Sequence, residues 1–157
     1  MATEATPAVP MVEPATPSSK PQEISFTLPK AFHTTAHLHL NFLGHCTMVF
    51  LATSSPGDSG GSVKPMGSFV YAMPDRISPK STISTTLYTS PSSIEYTARI
   101  AKILAQRFSM PVYVGCSIDP HGMGLEVAEE MEGLSKIINV IMEKWEAHKQ
   151  EKSGSSR

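Results

Sequence analysis

Residues 83–118 read ISTTLYTSPSSIEYTARIAKILAQRFSMPVYVGCSI, and this one stretch encodes a strand, a capped helix and a second strand. Thr85, Thr86, Leu87 and Tyr88 include the β-branched and aromatic residues that suit a short strand. Ser90, Pro91 and Ser92 then supply helix-start chemistry, and Ser92 with Glu95 three residues on fits a reciprocal capping box, so the helix is expected to begin near Ser92. Ile94, Ala98, Ala101, Leu104, Ala105 and Phe108 recur at spacings of three and four and make one apolar face, with Arg99, Lys102, Gln106 and Arg107 mostly on the other side. Pro111 removes a backbone donor and locks its own φ, so the chain must leave the helix before Val112, Tyr113 and Val114 resume as a strand. A helix with one apolar face, set between two strands, covers one side of a sheet. The stretch carries no obvious catalytic residue, which points to a scaffold that binds.

Upstream, Ile24 to Leu28 alternate as a short edge-like strand ended by Pro29, and residues 36–43 alternate cleanly as AHLHLNFL. Gly44 and His45 make a turn, and Cys46 to Ala52 follow as the next strand. A hairpin closed there pairs Phe42 with Thr47, Leu40 with Val49 and Leu38 with Leu51, which makes one face apolar. The opposite face carries His37, His39, Asn41, Met48 and Phe50, a mixture suited to a protein interface and not to a helix-packed core. Ser54 to Pro65 is a loop rich in Gly, Ser and Pro, and Ser68 to Met73 is a further strand stopped by Pro74.

Downstream, Asp119 to Gly124 form a turn, and Leu125 to about Lys152 make a long helix whose apolar residues are Val127, Met131, Leu134, Ile138, Ile141 and Trp145. Glu126, Glu129, Glu130 and Glu132 near its start, and Lys144, Lys149 and Lys152 near its end, complement the helix dipole. Its heptad pattern lasts only about three repeats, so it reads as an ordinary core helix and not a coiled-coil seam. The tally predicts an α+β domain: a single, mostly antiparallel sheet of about six strands, mostly in hairpin order, with two helices on one face. The domain is expected over 23–152, between a disordered Pro-rich tail at 1–22, with Pro7, Pro10, Pro14, Pro17 and Pro21, and a disordered end at 153–157.

Composition excludes several function classes. Net charge of -1 and a pI near 6.6 leave no basic footprint for nucleic acid. No apolar run approaches the roughly 18 residues of a membrane span, and the tail lacks the pattern of a secretory signal. Cys46 and Cys116 are two reduced thiols and no disulfide framework. These features predict a soluble protein of the cytoplasm, with a nuclear pool also allowed.

Three motifs invite chemistry. Gly57-Asp58-Ser59-Gly60-Gly61 matches the string around the nucleophile of chymotrypsin-like proteases, but no aspartate precedes Asp58 to serve as the orienting acid between the histidines and Ser59. Gly122-Met123-Gly124 opens a helix as a dinucleotide fingerprint does, yet Val127 stands where the third glycine belongs and too little chain follows to build a nucleotide crevice. His33, His37, His39, His45 and Cys46 are metal-ligand types, but His45 lies roughly 20 Å along the strand from His37 at about 3.3 Å per residue, which leaves surface or interface histidines. No catalytic residue, metal or cofactor is expected.

The HLHL strand at 37–40, MVFLA at 48–52, FVYAM at 69–73, STTL at 84–87, the ARIAKILAQRFSMPVYVGCSI block and a terminal helix with an acidic start resemble the proteasome assembly chaperone 4 family over about Ile24 to Glu143. The chain departs from the animal version in its Pro-rich tail, its longer loop at Ser54 to Pro65 and the wording EVAEEMEG at 126–133. The resemblance implies a non-catalytic subunit that pairs sheet to sheet with the related assembly chaperone 3 and helps order alpha subunits of the early 20S proteasome ring. It also implies an isolated chain that behaves poorly without its partner. A trafficking-type longin or roadblock adapter that binds a GTPase, and a hydrolase built on Ser59, are the competing classes.

Overall fold

The computed structural model describes residues 20–31 and 33–155. Six strands and two helices follow one another as β1 (Gln22–Thr27), β2 (Thr35–Leu43), β3 (Cys46–Ser54), β4 (Ser68–Pro74), β5 (Thr82–Tyr88), α1 (Ile94–Phe108), β6 (Val112–Cys116) and α2 (Val127–Gly154). The strands form one sheet in the order β1-β2-β3-β6-β4-β5. The β2–β3 hairpin has the register its alternation predicts, with Phe42 opposite Thr47, Leu40 opposite Val49 and Leu38 opposite Leu51.

Simple hairpin order fails at one place. β6 inserts between β3 and β4, parallel to the first and antiparallel to the second. A strand that returns after a helix can enter the sheet where the most apolar surface is left to cover, and β6 is buried almost along its whole length, with Val112, Val114 and Cys116 fully enclosed. Both helices pack on the same side of the sheet. α1 lies over β4, β5 and β6, and its buried Ile100, Ala101, Leu104 and Ala105 share a core with Leu38, Leu40, Val49, Val70 and Val114. Burying each large aliphatic side chain of this set contributes roughly 1.5–3 kcal/mol. α2 adds Leu134, Ile137, Ile138 and Ile141 to the same core.

Both helix starts differ from the pattern reading. Residues 91–93 form a turn, and Ser93, not Ser92, is the N-cap of α1, with no side-chain cap bond. The Ser93 hydroxyl is used elsewhere: it accepts from the Ser68 backbone N–H at 3.1 Å and pairs with the Ser68 hydroxyl at 3.0 Å, tying the helix start to the start of β4. A tertiary bond has won over a local cap. α2 instead carries the reciprocal capping box, between Glu126 and Glu129. Its predicted face is corrected in the first turn, where Val127 is 77 % exposed and Met131 is 47 % exposed, because that turn begins before α2 reaches the core. The helix also runs to Gly154, so Ser153 and Gly154 are helical and not part of a structureless end. Most of the Pro-rich segment at 1–22 lies outside the described residues, and β1 starts at Gln22.

The carboxyl-terminal half of α2 is held by an aromatic cluster. Phe42 of β2 stacks on His148 at 4.7 Å between centroids and meets Trp145 at 5.3 Å, while Trp145 lies 4.8 Å from Phe108 of α1. His148 is 5 % exposed, and burial holds its imidazole pKa below 6.5, with Lys152 acting in the same direction and Glu151 against it. Unfolding frees this imidazole to protonate near pH 6.5, so over the interval below that value the unfolded state binds more protons and stability falls as pH falls. The melting temperature should therefore drop between pH 7.5 and 5.5, and a His148→Phe variant should show a shallower drop across that range. Parallel curves for the two proteins would refute a role for His148.

Candidate partner-binding surface

The side of the sheet away from the helices is the candidate site. In each central strand, residues alternate between the two faces. Val49, Leu51, Val70, Ala72, Val112 and Val114 are enclosed beneath the helices, while Met48, Phe50, Phe69, Tyr71, Met73 and Tyr113 point the other way and are only half-buried. Their rings form a continuous row across three strands. Phe50 stacks on Phe69 at 6.0 Å, Phe69 on Tyr113 at 6.0 Å, and Tyr113 meets Tyr71 at 4.8 Å, whose hydroxyl donates to the Met73 sulfur at 3.6 Å. At the middle of the row Gly115 sits between Phe50 and Phe69 in register. A Cβ there would lie 2.6 Å from Cδ1 of Phe50, so only glycine lets that ring lie down on the strand.

His37, His39, Asn41, Met48 and Phe50, expected on one face, are brought together on it by the β2–β3 register. His37 is held in place from both sides, its Nδ1 2.9 Å from the Ser25 hydroxyl and its Nε2 2.6 Å from the Ser54 hydroxyl. His39 lies 3.8 Å from the Glu23 carboxylate and 6.2 Å from the Phe50 ring. Asn41 Oδ1 is buried and meets no donor among the described residues. A buried acceptor left unmatched costs on the order of 1–3 kcal/mol, which a donor from an approaching chain recovers.

The loop between β3 and β4 folds onto this face. Asp58 bonds to Lys64 and accepts from the Ser55 N–H at 2.9 Å, and the Lys64 hydrogen bond, then that of Ser55, holds its carboxyl below the usual range. Gly67, at φ 71°, lets the chain cross the end of β6 where a Cβ would lie 2.1 Å from the Cys116 carbonyl oxygen. Met66 is thereby laid beside Gly115. Sheet and loop together enclose a groove of about 520 Å³ lined by Glu23, His37, His39, Phe50, Lys64 and Met66 among others. Ser59 of the protease-like string is on the exposed part of this loop, where its carbonyl accepts from Ser62 in a turn. The Gly122 N–H donates to Asp119 Oδ1 at 2.9 Å, so the glycine pair near α2 serves a helix-entry turn. Cys116 is buried and its thiol is pushed up to about 12 by burial, and Cys46 is half-buried with its thiol also raised by desolvation.

Phe69, Tyr71 and Tyr113, the centre of the aromatic row, were not legible as site residues. Each is an ordinary outward residue of its own strand, and Tyr113 of β6 joins Phe69 and Tyr71 of β4 only because β6 enters between β3 and β4. The alternation FVYAM against VYVGC was the available signal, but it needs the strand order to be used.

Among the solved structures similar in fold is a chain of the crystal structure of a novel chaperone complex for yeast 20S proteasome assembly, with a TM-score of 0.55 and 20 % identity, over 78 % of this chain and 95 % of that one. A comparison with curated proteins finds no match. The family model of proteasome assembly chaperone 4 matches residues 35–118, from the first residue of β2 to just past β6, which is more than half of the 157 residues and contains the whole aromatic row. With a six-stranded sheet covered by helices on one side and an aromatic row on the other, the chain belongs to the proteasome assembly chaperone 4 family.

Proposed function

We propose that this protein is a non-catalytic chaperone of 20S proteasome assembly that works as a heterodimer with a subunit related to assembly chaperone 3, the two sheets facing one another. The observation that carries the reading is the sheet face that no helix covers among the described residues: both helices lie on the other side, and the row Phe50, Phe69, Tyr113 and Tyr71 stays half-exposed. A second sheet laid on it buries these rings and brings polar groups to Asn41 and His39. Roughly 800 Å² per partner is the standard size of such an interface, and aromatic residues at its centre supply most of the binding energy. The heterodimer then acts on alpha-ring subunits, in the cytoplasm and the nucleus. His37, His39, Asn41, Met48 and Phe50 form the side of the contact nearer β1, and the aromatic row forms its centre.

Co-expression with a chaperone 3-like subunit, followed by size-exclusion chromatography, tests this. A stable one-to-one complex that in turn retains a proteasome alpha subunit is the expected result. A sharply monomeric chain that ignores both, or one that recovers small GTPases instead, overturns it.

A further inference from the structure

The two edges of the sheet are built differently. β1 carries Glu23 within it and is bracketed by Lys20 and Pro21 on one side and Pro29 and Lys30 on the other. Charges and prolines at an edge discourage the addition of another strand. β5 has neither. Its seven residues, TISTTLY, are uncharged, free of proline and rich in β-branched side chains, and among the described residues it pairs with β4 alone. Ile83 is 47 % exposed and Leu87 is 51 % exposed on it, and Tyr88 at its end is 60 % exposed. The outer backbone donors and acceptors of such an edge are a template for an extended chain.

We propose that the outer edge of β5 is a strand-addition site for an extended, proline-free segment of another polypeptide. The edge adjoins the sheet face, with Thr85 opposite Tyr71 and Met66 lining both grooves, but strand addition uses the outer main chain of β5 and does not depend on the heterodimer reading. An extended segment fits better than a second folded copy, for a reason of area. A seven-residue edge is about 23 Å long at roughly 3.3 Å per residue, and pairing along it alone buries far less than the roughly 800 Å² per side that holds two folded bodies together. A flexible segment gains more, because it can continue past Tyr88 into a groove of about 420 Å³ lined by Pro65, Met66, Tyr88 and Pro91. Main-chain bonds along β5 then supply affinity, and the groove selects the side chain that follows.

The test uses the full chain and a fluorescein-labelled peptide of sequence TISTTLY, read by fluorescence anisotropy. Saturable binding is expected, weakened at least about tenfold when Thr85 and Leu87, both exposed, are replaced by lysine, which places gatekeeper charges on the edge. A peptide N-methylated at alternate residues, which lacks the donors of one edge, should lose binding equally while the protein stays untouched. Tyr113→Lys, on the sheet face, should leave peptide binding unchanged. Absence of binding at millimolar peptide, equal binding of the N-methylated peptide, or a concentration-dependent dimer of the chain that the two lysines dissolve would each overturn the proposal.

Discussion

Replacing Phe42 with alanine should cost about 3–5 kcal/mol of folding free energy, the range for removing a buried aromatic from a core. The ring is 2 % exposed and joins the sheet to both helices, meeting Phe108 of α1 at 6.4 Å and Trp145 and His148 of α2. Its loss leaves a cavity that the backbone of a nine-residue strand cannot collapse to fill, and it removes the contact that seats the second half of α2. Against a total stability of roughly 5–15 kcal/mol for a domain of this kind, that is a large fraction. Trp145 is the sole tryptophan, so its emission reports on this cluster directly. Urea unfolding followed by that emission should show a strongly lowered midpoint together with a red shift in the native baseline. A loss smaller than about 1 kcal/mol would mean that the cluster does not anchor α2.

Exchanging Tyr113 for lysine, with or without Tyr71→Lys, should abolish the partner complex while leaving the fold in place. Tyr113 lies in the central strand β6, contacts both Phe69 and Tyr71, and is the middle of the half-buried aromatic row. Truncating a central aromatic anchor costs about 2 kcal/mol or more, close to thirtyfold in affinity, and a charge buried against a facing sheet adds to that. The folding cost is about 1 kcal/mol or less, since the ring faces away from the core and the change is one of strand preference. Co-purification should fall to background with the far-ultraviolet circular dichroism unchanged. Undiminished complex formation by the double variant would show that the partner binds elsewhere on the molecule.

His37 and Asn41, on the same face, differ in how their polar atoms are bonded. His37 already spends both ring nitrogens on Ser25 and Ser54, within its own sheet. It therefore has less to offer a partner than Asn41, whose buried oxygen has no donor among the described residues. Both looked alike in the alternation of residues 37–41, where only the parity of each position could be read.

Strand and helix identity were legible because they rest on local rules. The alternation of β2 and β3 fixes which residues share a face, and the turn at Gly44 and His45 then fixes register, since a slip of one would turn Leu38, Leu40 and Phe42 outward. The apolar spacing of α1 and the stop at Pro111 are equally local, and they placed the start of the helix within two residues of Ile94 and its end before Pro111. Whatever depended on a distant partner was out of reach. Ser92 could be read as the cap, but that Ser93 takes the position and bonds to Ser68 requires β4 to lie beneath the helix start. The start of α2 matched the apolar period, yet Val127 stays 77 % exposed there and Met131, beside Arg99 of α1, stays 47 % exposed.

The amino-acid order alone thus determined the elements and the two-sidedness of the sheet, because side-chain period and turn chemistry act over a few residues. Tertiary structure alone decided that β6 enters between β3 and β4, for strand order is set by how much apolar surface each arrangement buries and not by neighbours in the chain. That one insertion aligns Phe50, Phe69, Tyr113 and Tyr71 across three strands and so converts scattered outward residues into one continuous aromatic row.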